Sequence, residues 1–173
     1  MMAISRHGFV NRLTRRLDSA RRIAVVGVGD ELLPRDRPGM FAARYIRARK
    51  LPGVSVFLTG TVPESFSGPL RKFHPDHVIF IDSADMGVSP GTIDVIVPEK
   101  ASAGLVSTHA LPLPVVMKFV ARDTGTKVTL LGIQPDLSSP DGELSGPERE
   151  LLEKNLAMLV EVLEGCIAGV SPP

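Results

Sequence analysis

Strand-length apolar runs separated by segments of helical period predict a three-layer α/β domain, with a twisted, mixed but mostly parallel sheet of about five strands between helices. The runs beginning at Ile23 (IAVVGVG) and Val78 (VIFI) are continuously apolar, as strands covered on both faces must be. The segments between them place apolar residues at i and i+4. One connection, DMGVSPG from Asp85, is too short for a parallel crossover, which needs about a dozen residues. The strand that follows it should therefore run antiparallel.

In chain order, RIAVVGVGD is the first strand and closes on Gly27 and Gly29. PGMFAARYIRARK follows as a helix, with Phe41 and Tyr45 one turn apart and Pro38 in an early position that its fixed φ suits. VSVFLTG is the second strand, and SFSGPLRKFHP a short helical or irregular return. HVIFIDSA is the third strand. GTIDVIVP is the fourth, and its alternation marks it as a more exposed edge. PLPVVMKFVARD reads as a helix and KVTLLGIQP as the fifth strand. The last helix has the clearest start: Ser145 as cap, Pro147 just inside, and Glu148 three residues after the cap, the pattern of a capping box. Leu152, Leu156, Leu159, Leu163 and Ile167 then form one apolar stripe.

Residues 1–21 stand apart as a basic leader, with Arg6, Arg12, Arg15, Arg16 and Arg21 against Asp18. Val10, Leu13 and Leu17 fall at helical spacing, so the leader is an amphipathic helix that is solvated, docked or frayed, or else a membrane-surface or transit segment. Residues 22–173 form a single α/β domain, of a length that buries roughly two-thirds of its unfolded surface. SSPDGELSGP, from Ser138, is a polar loop within that domain.

Composition excludes several classes. Hydrophobic residues make up 43% and charged residues 23% of the 173, too apolar for disorder. A net charge of +1, with seven Phe, one Tyr and no Trp, disfavours nucleic-acid binding. The single cysteine, Cys166, rules out an intrachain disulfide framework and suits the reducing cytoplasm; near the end of the last helix it reads as a packing residue. No run approaches the length of a membrane span, so the expectation is a cytoplasmic monomer.

Ligands of open α/β sheets bind outside the carboxyl ends of the parallel strands. The segments reaching that edge are GDELLPRDRPG after strand one, DSADMG after strand three and GIQPD after strand five, with EKASAGLVSTH long enough to return His109 to the same side. Asp82 ends an apolar run and is an exposed turn residue, a cap, or a ligand to something positive. Asp36 lies between Arg35 and Arg37, and is an ion-pair partner, a cap before Pro38, or a ligand. His109 is a structural histidine bonded by Ser107 or Thr108, or a ligand. Grouped by the fold, two carboxylates and an imidazole suit zinc, nickel or manganese with positions left open. Gly27 and Gly29 lack the third glycine of a dinucleotide fingerprint and the loop is acidic where a pyrophosphate would lie; neither a GxSxG elbow nor a P-loop is present.

Four stretches in order, VVGVGDELLPRDRPG, VIFIDSADMGVSPGTI, STHALPL and LLGIQPD, resemble the hydrogenase maturation proteases, in the branch that processes the hydrogenase 3 large subunit. The resemblance runs from about residue 22 to 164. It implies a mostly parallel sheet between helices. It also implies an endopeptidase that removes a C-terminal extension from a nickel-iron hydrogenase large-subunit precursor once nickel is in place.

By position, the family's metal-contacting and catalytic residues fall on Asp36, Asp82 and His109, with Gln134 and Asp136 as substrate-binding neighbours. Nickel, supplied by the precursor, or another divalent cation is the implied metal. Arg35 and Arg37, after Pro34, stand where the family usually has an acid and a glycine, making the surroundings of Asp36 more positive. Two other readings remain: a non-catalytic α/β module that grips a nucleotide or partner, and a degenerate family member that binds without cutting.

Overall fold

The structure, a computed structural model, describes residues 6–97, 111–138 and 144–169. Helix α1 (Arg6–Arg16) is followed by β1 (Ile23–Val28), α2 (Pro38–Ala48) and β2 (Val54–Gly60). A 3-10 turn (Pro63–Phe66) runs into α3 (Ser67–Phe73), then come β3 (His77–Ser83), β4 (Ile93–Ile96), α4 (Leu113–Thr124), β5 (Lys127–Ile133) and α5 (Gly146–Ala168).

The five strands form one sheet in the order β2-β1-β3-β5-β4. All neighbours are parallel except β4, which pairs antiparallel with β5 through Ile93 opposite Ile133 and Asp94 opposite Gly132. The short link thus has the consequence expected of it, and β4 lies at an edge.

Side chains that alternate along a strand divide between two cores. Ile23 and Val25 of β1 and Ile79 and Ile81 of β3 face one side, where α1, α2 and α5 supply Leu13, Ile46, Leu156 and Leu159. Ala24, Val26, Val78 and Phe80 face the other, against Leu70 of α3 and Val116, Met117 and Val120 of α4. Every residue of β1 and β3 is buried, which explains their unbroken apolar runs.

Two details sharpen the expectations. The leader helix is docked: Phe9, Leu13 and Leu17 enter the core while its arginines stay exposed. Phe9 holds the buried position in the first turn, and the expected Val10 is only half-buried beside it. At α5, Ser145 and Glu148 form both halves of the capping box, and Ile167 packs half-buried at the end of the stripe. No helix among the described residues is long and apolar enough to cross a membrane.

Candidate active site

The loop after β1 turns back on itself at Gly29, whose φ of +131° only glycine adopts readily. A Cβ on Gly29 would lie 2.0 Å from the Asp36 carbonyl oxygen, so the returning chain fills the turn. Asp36 is 1% exposed. Its Oδ2 accepts from the Asp30 amide at 2.8 Å, and its own N–H donates to the Leu33 carbonyl at 3.0 Å. Asp36 does not cap α2, which starts with no side-chain cap and Pro38 in its first turn.

Asp82 is fully buried one residue before the end of β3, opposite Gly132 of β5. Its Oδ1 accepts from the Ser83 amide at 2.8 Å. The exposed-turn reading of this acid is therefore set aside. Beside Asp82 stands Gly39, in the first turn of α2. A Cβ there would meet the Val28 carbonyl oxygen at 2.3 Å, that of Ile81 at 2.6 Å and the Asp82 Cα at 3.0 Å. The first turn of α2 thus rests directly on the carboxyl ends of β1 and β3, and brings Asp36 and Asp82 to the same edge. Carboxylates withdrawn from water are costly unless hydrogen bonds or positive charge compensate them, and this pair suits a cation.

His109, the expected third member, lies outside the described residues. Among the described residues no group of three or more His, Cys, Asp or Glu side chains gathers as a metal site. Two carboxylates supply oxygen donors of the kind that divalent cations take.

Gln134 and Asp136 are placed differently from the acids. Gln134 is 3% exposed, and its Oε1 accepts from the amides of Met86 at 2.6 Å and Val88 at 3.4 Å. Its Nε2 donates to Asp85 Oδ1 at 3.3 Å, and its main chain bonds Thr92 and Gly91. It pins the 84–92 link to the end of β5, where Asp85 is the turn residue. Asp136 Oδ1 accepts from the amide and hydroxyl of Ser138, forming a local turn.

Four contacts at this edge have no counterpart in the sequence pattern. Arg35 Nη2 donates to the Leu137 carbonyl at 2.7 Å, across 102 positions, and no local pattern announces it. Arg37 Nε donates to the Glu31 carbonyl at 2.9 Å. The bases that replace the family's pattern are thus struts of the rim. Glu31 is held by both its oxygens to Arg44, whose hydrogen bonds keep the carboxyl below its ordinary range. Glu148 does more than close its capping box. It accepts from the amides of Asp136 and Ser145, each at 3.3 Å, and so joins both ends of the β5–α5 loop, while burial pushes its carboxyl up.

Gly27 has a packing role: a Cβ there would lie 2.3 Å from that of Ala43, so it lets α2 settle on β1. With Gly29 filled by Asp36, neither glycine shapes a phosphate cradle.

A mostly parallel sheet between helices, with two buried acids near its carboxyl edge, is an α/β domain with a candidate site at that edge. The family model described as HycI hydrogenase maturation protease matches residues 42–162, a span that includes Asp82 and His109 and begins just after Asp36. The chain is 27% identical over 162 residues to a putative hydrogenase maturation protease of Methanocaldococcus jannaschii, covering 86% of this chain and 92% of that one. To the hydrogenase 3 maturation protease of Escherichia coli K12 it is 29% identical over 127 residues, covering 73% and 81%. The crystal structure of a nickel-iron hydrogenase maturation protease HycI from Thermococcus kodakarensis superposes with a TM-score of 0.76 at 30% identity, covering 88% of this chain and 99% of that one. The chain belongs to the hydrogenase maturation protease family, and it is a peptidase.

Proposed function

We propose that this peptidase removes a C-terminal extension from the precursor of a nickel-iron hydrogenase large subunit, and that it reads the nickel carried by that precursor through Asp36, Asp82 and His109. The observation that carries the reading is that Asp36 and Asp82 are both buried, each accepting from a main-chain amide, around the first turn of α2, where Gly39 packs on the Asp82 main chain. Burying two acids at one edge is costly to folding, and such groups collect at functional sites. The metal arrives as part of the substrate. A bound divalent cation polarises a carbonyl or activates a water. The protein's own contribution is to hold two carboxylates still and, through Gln134 and the arginine struts, to fix the loops around them. The single cysteine, Cys166, is free and buried, which supports a reducing cytoplasmic setting.

The test is to mix the pure protein with nickel-loaded and with metal-free precursor and to weigh the products. Loss of a C-terminal peptide from the loaded form alone is the expected outcome; equal cutting of both, or no cutting, refutes the mechanism. Asp82→Asn keeps an oxygen for the Ser83 amide but removes the charge. It should lower kcat/KM by on the order of a hundredfold, the scale of losing one electrostatic partner at a reacting group, with little change in melting temperature.

A further inference from the structure

Leu32 is 85% exposed and Leu33 42%, and both belong to the loop that carries Asp36. Leu137, 38% exposed, follows Asp136 on the other side of the edge. Single exposed leucines are ordinary, but several on the loops around one candidate site are not. Their backbone bonds tie them to the acid. Asp36 Oδ2 accepts from the Asp30 amide at 2.8 Å, and Asp30 Oδ1 accepts from the Leu32 amide at 2.9 Å. The Leu33 carbonyl in turn accepts from the Asp36 amide at 3.0 Å. One hydrogen-bonded turn thus buries the carboxylate and presents two leucines outward. The bond from Arg35 Nη2 to the Leu137 carbonyl draws the third leucine toward the same loop. Neither buried core includes any of the three.

We propose that Leu32, Leu33 and Leu137 form an apolar rim that grips the precursor polypeptide beside the cleaved bond and selects for an apolar side chain there. The inference rests on the endopeptidase reading above, because a chain delivered to Asp36 and Asp82 has to pass this loop. The rim is continuous with the acids, so the substrate polypeptide is its occupant; a second copy seated on the leucines would obstruct the approach to them.

Leu32→Asn changes a side chain that is almost wholly in solvent, so the fold is retained, which a thermal melt verifies. With nickel-loaded precursor it should raise KM about tenfold at unchanged kcat, the scale of losing much of one leucine's burial, and Leu32→Met should restore KM. The affinity for loaded precursor, read by interferometry, should fall by the same factor. Unchanged KM and affinity overturn the proposal. So does a wild-type dimer in sedimentation that Leu32→Asn dissociates with precursor affinity unaltered, because the rim then belongs to a second copy. Leucine-dependent binding without release of any peptide upholds the rim and removes the endopeptidase reading; cleavage with a leucine-independent KM does the reverse.

Discussion

His77 opens β3 at the end of the sheet opposite the acids, 2% exposed, with Nε2 2.8 Å from Thr129 Oγ1. Burial, helped by the charges of Lys127 and Arg16, lowers its pKa from 6.5 to about 4. Between those values the unfolded chain takes up a proton at this histidine that the folded chain does not, so stability rises with pH across the window from 4 to 6.5. The contribution is whole above pH 6.5 and is lost as pH falls toward 4, by on the order of 3 kcal/mol. Glutamine at 77 retains a hydrogen-bonding partner for Thr129 but does not titrate. Urea melts of His77→Gln should show a shallower loss of stability between pH 7 and 4.5 than the wild type, and equal slopes would refute the assignment. At this scale the sequence revealed acids better than their partners. Asp82 drew attention because an acid closing an apolar run is costly wherever it is buried. The Arg35 bridge to Leu137 drew none, since it joins residues 102 positions apart. Gln134 read as a neighbour of substrate; that its amide also holds the 84–92 link was not legible, because it depends on where a distant loop lies.

Among the elements, α2 is set by two glycines that no hydrophobic pattern explains. In most helices glycine to alanine stabilises by up to about 1 kcal/mol. Gly39→Ala should do the opposite, because its Cβ would press on the carbonyl oxygens of Val28 and Ile81 at 2.3 and 2.6 Å. Lifting α2 to relieve that pressure should cost about 1–3 kcal/mol. Gly146→Ala, at the start of α5 where nothing lies within 4 Å, serves as the control and should be neutral or stabilising. The urea midpoints of the two variants therefore move in opposite directions if the contact is as described, and together if helix propensity alone decides. Element type and order were legible throughout, because period and caps are local: Ser145 and Glu148 marked α5, and the brevity of DMGVSPG fixed the direction of β4. The sheet order β2-β1-β3-β5-β4 was not legible, being decided by which faces pack across the whole domain.

For the molecule as a whole, the basic first helix is part of the domain's core. Phe9, Leu13 and Leu17 are 1%, 0% and 0% exposed, and Arg12 pairs with Asp94 on the edge strand β4. Burying each such side chain contributes about 1.5–3 kcal/mol, against a typical domain stability of about 5–15 kcal/mol. A chain beginning at Asp18 should therefore unfold at a clearly lower urea concentration. An unchanged midpoint would mean that the helix is a dispensable leader. Leu13 and Leu17 were legible at helical spacing, whereas Phe9 took the place expected of Val10.

The close seat of α2 bears on how such an enzyme can change. Where Gly39 touches Val28 and Ile81 there is no side chain to enlarge or trim, so the spacing of the β1 and β3 ends, the latter bearing Asp82, has no adjustable part. New substrates have to be accommodated by the loops above it. Diversification, in nature or in the laboratory, should accordingly be sought at Leu32, Arg35 and Leu137 while the floor beneath them stays as it is.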